Sequence, residues 1–124
     1  MMQPDELSRE PVLNVSELLA RVENDGELLR ELIDIGKVEI PCFLSSLREA
    51  VAQADVKKIE KTGHTLRGML SNLAATRAAA AAGRLEQLAR SGDTTSLRSA
   101  VAIFESEVAR LMTQLEAYMA SIHP

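Results

Sequence analysis

Residues 56–73 read VKKIEKTGHTLRGMLSNL, and their apolar positions recur at alternating steps of three and four. The positions of this stripe are Val56, Ile59, Gly63, Leu66, Leu70 and Leu73. Such spacing predicts a helix with one buried face. Because each residue turns the helix by about 100°, His64 falls on the polar side, away from the stripe. We therefore expect its imidazole to be largely exposed to solvent.

The face that carries His64 is rich in polar and basic residues: Lys57, Glu60, Lys61, Arg67, Gly68 and Ser71. A neutral imidazole nitrogen is a good nucleophile near physiological pH. The neighbouring cations would offset the negative charge of a phosphoryl group attached to it. Glycine inside a helix costs roughly 1 kcal/mol relative to alanine, but at position 68 it leaves room for another protein to approach the ring. The face therefore suits a histidine that carries a phosphoryl group.

Each of these features also has a simpler explanation. A lone histidine on a polar helix face is usually a solvated residue, and neighbouring Lys and Glu side chains usually serve solubility and i,i+4 pairing. Gly68 could equally mark a close contact between two helices. The functional interpretation depends on all these features occurring on one face.

The residues that follow extend the pattern. His64-Thr65-Leu66-Arg67-Gly68 is followed by Ser71-Asn72-Leu73 and by a second helical segment, 85–93, that reads LEQLARSGD. Together with an upstream helix near residues 26–33 and Asp55 as a cap, this arrangement resembles a histidine-containing phosphotransfer (HPt) domain of two-component phosphorelay systems. The resemblance extends from about Leu13 to Leu115.

The resemblance implies a role for each residue of the motif. His64 matches the phosphoacceptor, Arg67 the basic residue that stabilises the phosphoryl group, and Gly68 the glycine that clears space for a receiver domain. We assign Lys61 to the same stabilising role as Arg67. The expected docking surface consists of Gly68, Ser71, Lys57 and Glu60.

Three positions depart from the family pattern. Gly63 stands before the histidine where alanine is commoner, and Ala74-Ala75 replaces a frequent Gly-Ala at the end of the helix. An aromatic residue that is frequent in the family is missing near Ile35-Gly36. The second departure leaves the end of the histidine helix open between residues 74 and 83. The pattern alone permits one long alanine-rich helix, whereas the resemblance implies a break near Ala74 to Thr76, which we adopt. Ser91-Gly92-Asp93 predicts the end of one helix and the start of the next.

Composition limits the class of protein. The chain has 124 residues, a net charge of −4, 46% hydrophobic residues and only 2% aromatic residues. This composition favours one domain with an aliphatic core, and the charge argues against a nucleic-acid partner. We expect a cytoplasmic protein that does not insert into a membrane. The single Cys42, which suggests a reducing compartment, is expected to be a buried or unreactive thiol, and the sequence offers no metal-ligand cluster.

The predicted architecture is all-α: an antiparallel up-down four-helix bundle with a short additional N-terminal helix. Residues 1–12 are predicted to be a flexible lead-in and residues 13–122 the bundle. Asn14 and Glu17 indicate a capping box, and Gly36 and Pro41 are expected to bend or break the helix that contains them. The regular apolar seam of the last helix, from Leu97 to Ile122, indicates a bundle core or a coiled coil.

These observations predict a phosphocarrier without a catalytic site of its own, and not an enzyme. A receiver-domain aspartate would donate the phosphoryl group to His64, which would pass it to another receiver. The expected partners are response-regulator receiver domains, which would supply Mg²⁺, and a hybrid sensor histidine kinase, with this chain as a monomer and without a cofactor. Two alternatives stay open: a helical adaptor or dimerisation module that uses the last helix, and an HPt-like domain that a kinase domain phosphorylates directly.

Overall fold

The computed structural model describes residues 10–122, and all regular structure in that range is helical, which confirms the predicted all-α class. Most of the predicted lead-in, residues 1–12, lies outside the described residues. The helices are α1 (Val15–Arg21), α2 (Gly26–Ala52), α3 (Val56–Asn72), α4 (Thr76–Ser91) and α5 (Leu97–Ile122).

Side-chain caps start three of the helices where the sequence places short polar residues. Asn14 Oδ1 accepts a hydrogen bond from the Glu17 backbone N–H at 3.0 Å, as the capping-box pattern predicts. Asp25 caps α2 through the backbone N–H groups of residues 27 and 28. Asp55 Oδ1 accepts from the Lys58 N–H at 3.1 Å at the start of α3. These caps satisfy backbone donors that have no partner inside the helix.

Helices α2, α3 and α4 end in the same left-handed turn. Each of these turns contains a residue with a positive φ: 54° for Ala54, 56° for Ala74 and 77° for Gly92. The next backbone N–H then donates to a carbonyl five residues earlier, as from Asp55 to Ala50, the pattern of a Schellman motif. The predicted break near residues 74–76 is therefore confirmed, with alanine in place of the usual glycine.

Helix α2 runs without interruption through Gly36 and Pro41, so the expectation of a break at these residues was wrong. Pro41 is exposed, and solvent can satisfy the carbonyl that loses its hydrogen-bond donor. Gly36 is buried for a packing reason, because a Cβ there would stand 2.9 Å from Leu73 Cδ1. Its lack of a side chain lets α2 pack against the end of α3.

The core forms where the four long helices meet. Each of them packs against the next along the chain, and α5 also packs against α2. The predicted stripe of α3 faces inward, with Ile59, Leu66 and Leu70 buried. The seam of α5 contributes Phe104 and Leu111, which are fully buried. The buried hydrophobic residues of the described chain are aliphatic apart from Phe104, as composition predicts.

Some residues outside the long helices also bear on the predictions. Val12 and Leu13 are buried, and the Asn14 N–H donates to the Ala74 carbonyl at 3.1 Å, which joins the start of α1 to the α3–α4 turn. Within α2, Cys42 is exposed, so of the expectation of a buried or unreactive thiol, the burial was wrong. Within residues 10–122, no helix is long and apolar enough to cross a membrane.

The alanine at a left-handed position leads to a stability prediction. We expect Ala54→Gly to raise the free energy of unfolding by about 0.5–1 kcal/mol, because relief of left-handed strain exceeds the entropy that glycine gains in the unfolded chain. Ala54 is exposed, so its methyl group contributes little packing. Urea denaturation measures the difference. Ala80→Gly, at an exposed position inside α4, should instead lose about 1 kcal/mol, and a loss of similar size at both positions would contradict the prediction.

Candidate functional site

His64 lies in the third turn of α3, on the face opposite the buried stripe, and its side chain is 64% exposed. The prediction of an exposed ring is confirmed. Exposure follows from the helical register, since Ile59 and Leu66 fix which side of α3 faces the core. The ring is therefore held on a rigid helix and is accessible from solvent.

A buried carboxylate lies beside the ring. Glu86 of α4 has a side chain that is only 4% exposed, and its Oε2 is 2.8 Å from His64 Nδ1. An ionised carboxylate can only accept hydrogen bonds, so the Nδ1 nitrogen must carry the proton in this contact. Nε2 then holds the free electron pair. No described residue hydrogen-bonds to Nε2, which leaves that nitrogen open to a partner.

Glycine at position 63 brings α4 close enough for this contact. A Cβ at Gly63 would lie 3.3 Å from both the Ala82 carbonyl oxygen and the Glu86 backbone nitrogen. Both neighbours are backbone atoms, which cannot turn aside as a flexible side chain can. The glycine, one of the departures from the family pattern, therefore lets the backbone of α4 lie directly against α3 beside the histidine.

Two arginines neutralise the buried carboxylate. Arg67 of α3 has Nη1 at 3.4 Å from Glu86 Oε1, and its Nη2 is 3.2 Å from His64 Nδ1. With a proton on Nδ1, this nitrogen cannot accept a hydrogen bond from Arg67. The interaction of Arg67 at this site is therefore its ion pair with the Glu86 carboxylate. Arg90 of α4 donates from Nη2 to Glu86 Oε2 at 3.0 Å and from Nε to Glu60 Oε1 at 3.0 Å.

The charges around Glu86 determine its ionisation. Burial alone would raise the pKa of this carboxyl group. The hydrogen bond from His64 and the positive charges of Arg67, His64 and Arg90 outweigh burial, so that the pKa of Glu86 lies below its ordinary value of 4.5. Glu86 is therefore ionised at neutral pH. It provides a fixed negative charge behind the imidazole.

The structure brings most of the predicted site residues together. A shallow, open depression is lined by five residues of α3 and two of α4: Lys57, Glu60, Lys61, His64, Arg67, Glu86 and Arg90. Gly68 and Ser71 lie outside it, one and two turns further along the exposed face of α3. The carbonyl oxygen of Ser71 accepts a hydrogen bond from the Arg21 guanidinium of α1.

Gly68 is not needed for helix packing. Apart from its chain neighbours and the nearby backbone of α3, no atom of the described residues lies within 4 Å of the position that its Cβ would occupy. The residue is exposed, and its φ is not in the left-handed region. Within residues 10–122, Gly68 therefore does not mark a close contact between helices.

Sequence reasoning did not assign Glu86 or Arg90 to the site. One signal was present: Glu86 lies four residues after Ala82 and seven after Ala79, on the apolar face of α4. A carboxylate at a core position is rarely buried without a partner. Its partner could have been sought on the preceding helix. Within residues 10–122, no group of three or more potential metal ligands comes together.

An exposed histidine backed by a carboxylate, among basic residues on a helical scaffold, is an arrangement that suits a phosphotransfer module. Comparison with known proteins agrees: the family model of the Hpt domain matches residues 15–118. The chain therefore belongs to the Hpt domain family, whose members are phosphocarriers that exchange phosphoryl groups with receiver domains and kinases.

The fold has a close relative among solved structures. The crystal structure of histidine-containing phosphotransfer protein B (HptB) from Pseudomonas aeruginosa PAO1 superposes with a TM-score of 0.85. The two chains share 23% sequence identity, and the match covers 91% of this chain and 98% of that one. This similarity establishes the fold. A search of the curated proteins found no significant match.

The depressed pKa of Glu86 predicts an effect on acid stability. The ionised carboxylate stabilises the fold fully above about pH 4.5, and this contribution is lost as the pH falls through the lower folded-state pKa. In Glu86→Gln, no proton can be gained at this position. We expect the variant to be less stable than the wild type by about 1–2 kcal/mol at pH 7, with the difference shrinking below pH 4.5.

Urea denaturation monitored by circular dichroism between pH 7 and pH 3 measures this difference. Glu116→Gln is a suitable control, because Glu116 is exposed on α5 and lies outside the site. Stability curves of the wild type and Glu86→Gln that stay parallel through the acid range would contradict the prediction.

Proposed function

We propose that His64 accepts a phosphoryl group from a receiver-domain aspartate and passes it to another receiver, so that this chain is a phosphorelay intermediate. The observation that carries the proposal is the exposed imidazole whose Nδ1 bonds to buried Glu86 at 2.8 Å. That contact orients the ring and assigns the proton to one nitrogen. Membership of the Hpt family supports the same function.

The chemistry of transfer follows from this tautomer. The electron pair of Nε2 attacks phosphorus in line, a new N–P bond forms, and the P–O bond to the receiver aspartate breaks. The aspartate leaves as a carboxylate and takes the electron pair of that bond. Because Nδ1 keeps its proton, the phosphorylated ring carries a positive charge. Glu86 lies next to that charge and stabilises it, as the buried carboxylate of a Ser-His-Asp triad stabilises imidazolium.

Basic side chains on α3 stabilise the phosphoryl group. Arg67 lies one turn after His64 and Lys61 one turn before it, and both side chains line the depression. Lys57 contributes a third positive charge at its edge. In this proposal the receiver supplies Mg²⁺ and most of the transition-state stabilisation, since this chain would contribute a nucleophile, cations and a surface. The docking surface comprises Lys57, Glu60, Gly68 and Ser71.

The remaining parts of the proposal concern assembly and context. We infer that the four long helices alternate in direction, because connections of three to five residues favour antiparallel neighbours. The expected partners are response-regulator receivers and a hybrid sensor histidine kinase. The proposed state is a monomer in the cytoplasm.

The adaptor alternative depended on the seam of α5. That seam is part of the core as far as Leu115, with Phe104, Val108 and Leu111 buried, whereas Ile122 at its end is exposed. Most of the feature that suggested an adaptor therefore has an internal partner. The second alternative, direct phosphorylation by a kinase domain, would use the same histidine. It differs from the proposal only in the donor.

A phosphotransfer assay tests the proposal. The wild type, mixed with a phosphorylated receiver domain and Mg²⁺, should gain one acid-labile phosphoryl group that peptide analysis locates on His64. His64→Gln should gain none and remain folded, since an exposed side chain contributes little to stability. His123→Gln, which removes the other histidine of the chain, should be labelled like the wild type. Label that persists in His64→Gln would overturn the assignment.

Gly68 permits a test that separates docking from folding. Gly68→Gln should stabilise α3 by about 0.5 kcal/mol, because a good helix former replaces glycine at an unobstructed position. The same variant should slow phosphotransfer at least tenfold, since the longer side chain occupies space that the receiver needs. Stopped-flow or gel-based transfer rates measure the loss. Ala109→Gln on α5, also exposed, should transfer at the wild-type rate, and normal transfer by Gly68→Gln would exclude its place in the docking surface.

A further inference from the structure

We propose that Arg90 is a positioning residue for phosphotransfer, which acts on His64 through the carboxylate of Glu86. The inference rests on the proposed function, in which His64 carries the phosphoryl group. It goes beyond that function by assigning a role to a residue of α4 that does not touch the ring.

The geometry links Arg90 to both helices of the site. Its Nη2 donates to Glu86 Oε2 at 3.0 Å, and the same oxygen atom is 2.8 Å from His64 Nδ1. Its Nε donates to Glu60 Oε1 of α3 at 3.0 Å. The guanidinium therefore joins α3 to α4 and restrains the very oxygen that binds the imidazole. A planar guanidinium suits this task because its donors have a fixed geometry.

The two arginines bind the carboxylate differently. Arg90 forms a 3.0 Å hydrogen bond to Oε2, whereas the closest approach of Arg67 to Glu86 is 3.4 Å, at Oε1. Arg67 is also the cation nearest to the ring, with Nη2 at 3.2 Å from Nδ1. When Nε2 gains a phosphoryl group, its anionic oxygens attract Arg67. If Arg67 turns to these oxygens, the positive partners that remain beside Glu86 are the phosphorylated ring and Arg90.

Arg90 is the arginine that can keep its ion pair with Glu86 when Arg67 moves. A carboxylate that is 4% exposed would be strongly destabilised if it lost every positive partner. The charged groups facing the ring are Lys57, Glu60, Lys61 and Arg67 from α3 and Glu86 and Arg90 from α4. Among them, Arg67 and Arg90 are the cations that form ion pairs with Glu86. Arg90 thus holds Glu86 in place while Arg67 turns to the phosphoryl group.

Loss of Arg90 should change both the ring and the rate of transfer. Without it, the carboxylate is free to turn towards Arg67, and its hydrogen bond to Nδ1 weakens. The neutral ring then spends more time with its proton on Nε2, where no electron pair is available for attack. We expect Arg90→Gln to transfer about 3- to 10-fold more slowly than the wild type, the range that one hydrogen bond accounts for.

Nuclear magnetic resonance of the unphosphorylated protein provides the decisive measurement. Two-bond ¹H–¹⁵N spectra at alkaline pH distinguish a ring protonated on Nδ1 from one protonated on Nε2, and His64→Gln identifies the signals of His64 against those of His123. Arg90→Gln should shift the ring from the Nδ1–H form towards the Nε2–H form. Arg90→Lys, which keeps the charge but replaces the planar guanidinium with a single ammonium group, should restore part of the wild-type population.

Two further variants make the test specific. Arg84→Gln removes the same charge from an exposed position of α4 that does not line the depression, and it should leave the tautomer unchanged. Glu60→Gln keeps Arg90 but weakens its second anchor, and it should produce a smaller shift in the same direction. Glu60→Gln also tests the proposal independently if Arg90→Gln folds poorly.

The outcomes separate this proposal from the proposed function. A tautomer population that is unchanged in both Arg90→Gln and Glu60→Gln overturns the role of Arg90, whatever the transfer assay shows. Equal shifts in Arg90→Gln and Arg84→Gln also overturn it, because they would reflect net charge alone. Failure of the wild type to accept any phosphoryl group overturns the proposed function instead, since the tautomer is measured without a receiver.

Discussion

The distance between α3 and α4 at Gly63 is the constraint on which the site depends. A Cβ at position 63 would lie 3.3 Å from the α4 backbone at residues 82 and 86, which is tighter than an ordinary contact, so glycine allows this close approach. This approach places a carboxylate on the buried face of α4 next to a ring on the exposed face of α3. The hydrogen bond between Glu86 and His64 and the ion pair between Glu86 and Arg67 both join the two helices, whereas Arg90 pairs with Glu86 within α4.

The part of the site on a single helix could be predicted from the sequence. The stripe from Val56 to Leu73 fixes the register of α3, and the register places His64, Lys61 and Arg67 on the same exposed face. Glu86 lies 22 residues away along the chain, and its contact with the ring depends on how far α4 is rotated and how closely it packs. Periodicity indicates which face of a helix is buried, but not which atoms meet there.

The helix boundaries also depend partly on the local sequence and partly on tertiary contacts. Ser91-Gly92-Asp93 predicts a helix end correctly because glycine adopts a left-handed φ without strain. Ala54 and Ala74 adopt the same conformation, yet alanine is a strong helix former and gives no such signal. The turn at Ala74 is fixed by packing, as its carbonyl accepts from Asn14. Pro41 is the reverse case, a strong helix breaker that α2 accommodates at an exposed position.

The exposure of His64 to solvent has a consequence for the lifetime of its phosphorylated form. An enzyme pocket shields a reactive intermediate from water, but a ring that is 64% exposed admits water as readily as it admits a protein partner. On the proposed function, spontaneous hydrolysis competes with every onward transfer, and the lifetime of the phosphohistidine limits how long a signal can wait for its recipient. The arginines beside the ring would then influence the rate of this hydrolysis, because they set the electrostatic potential that approaching water encounters.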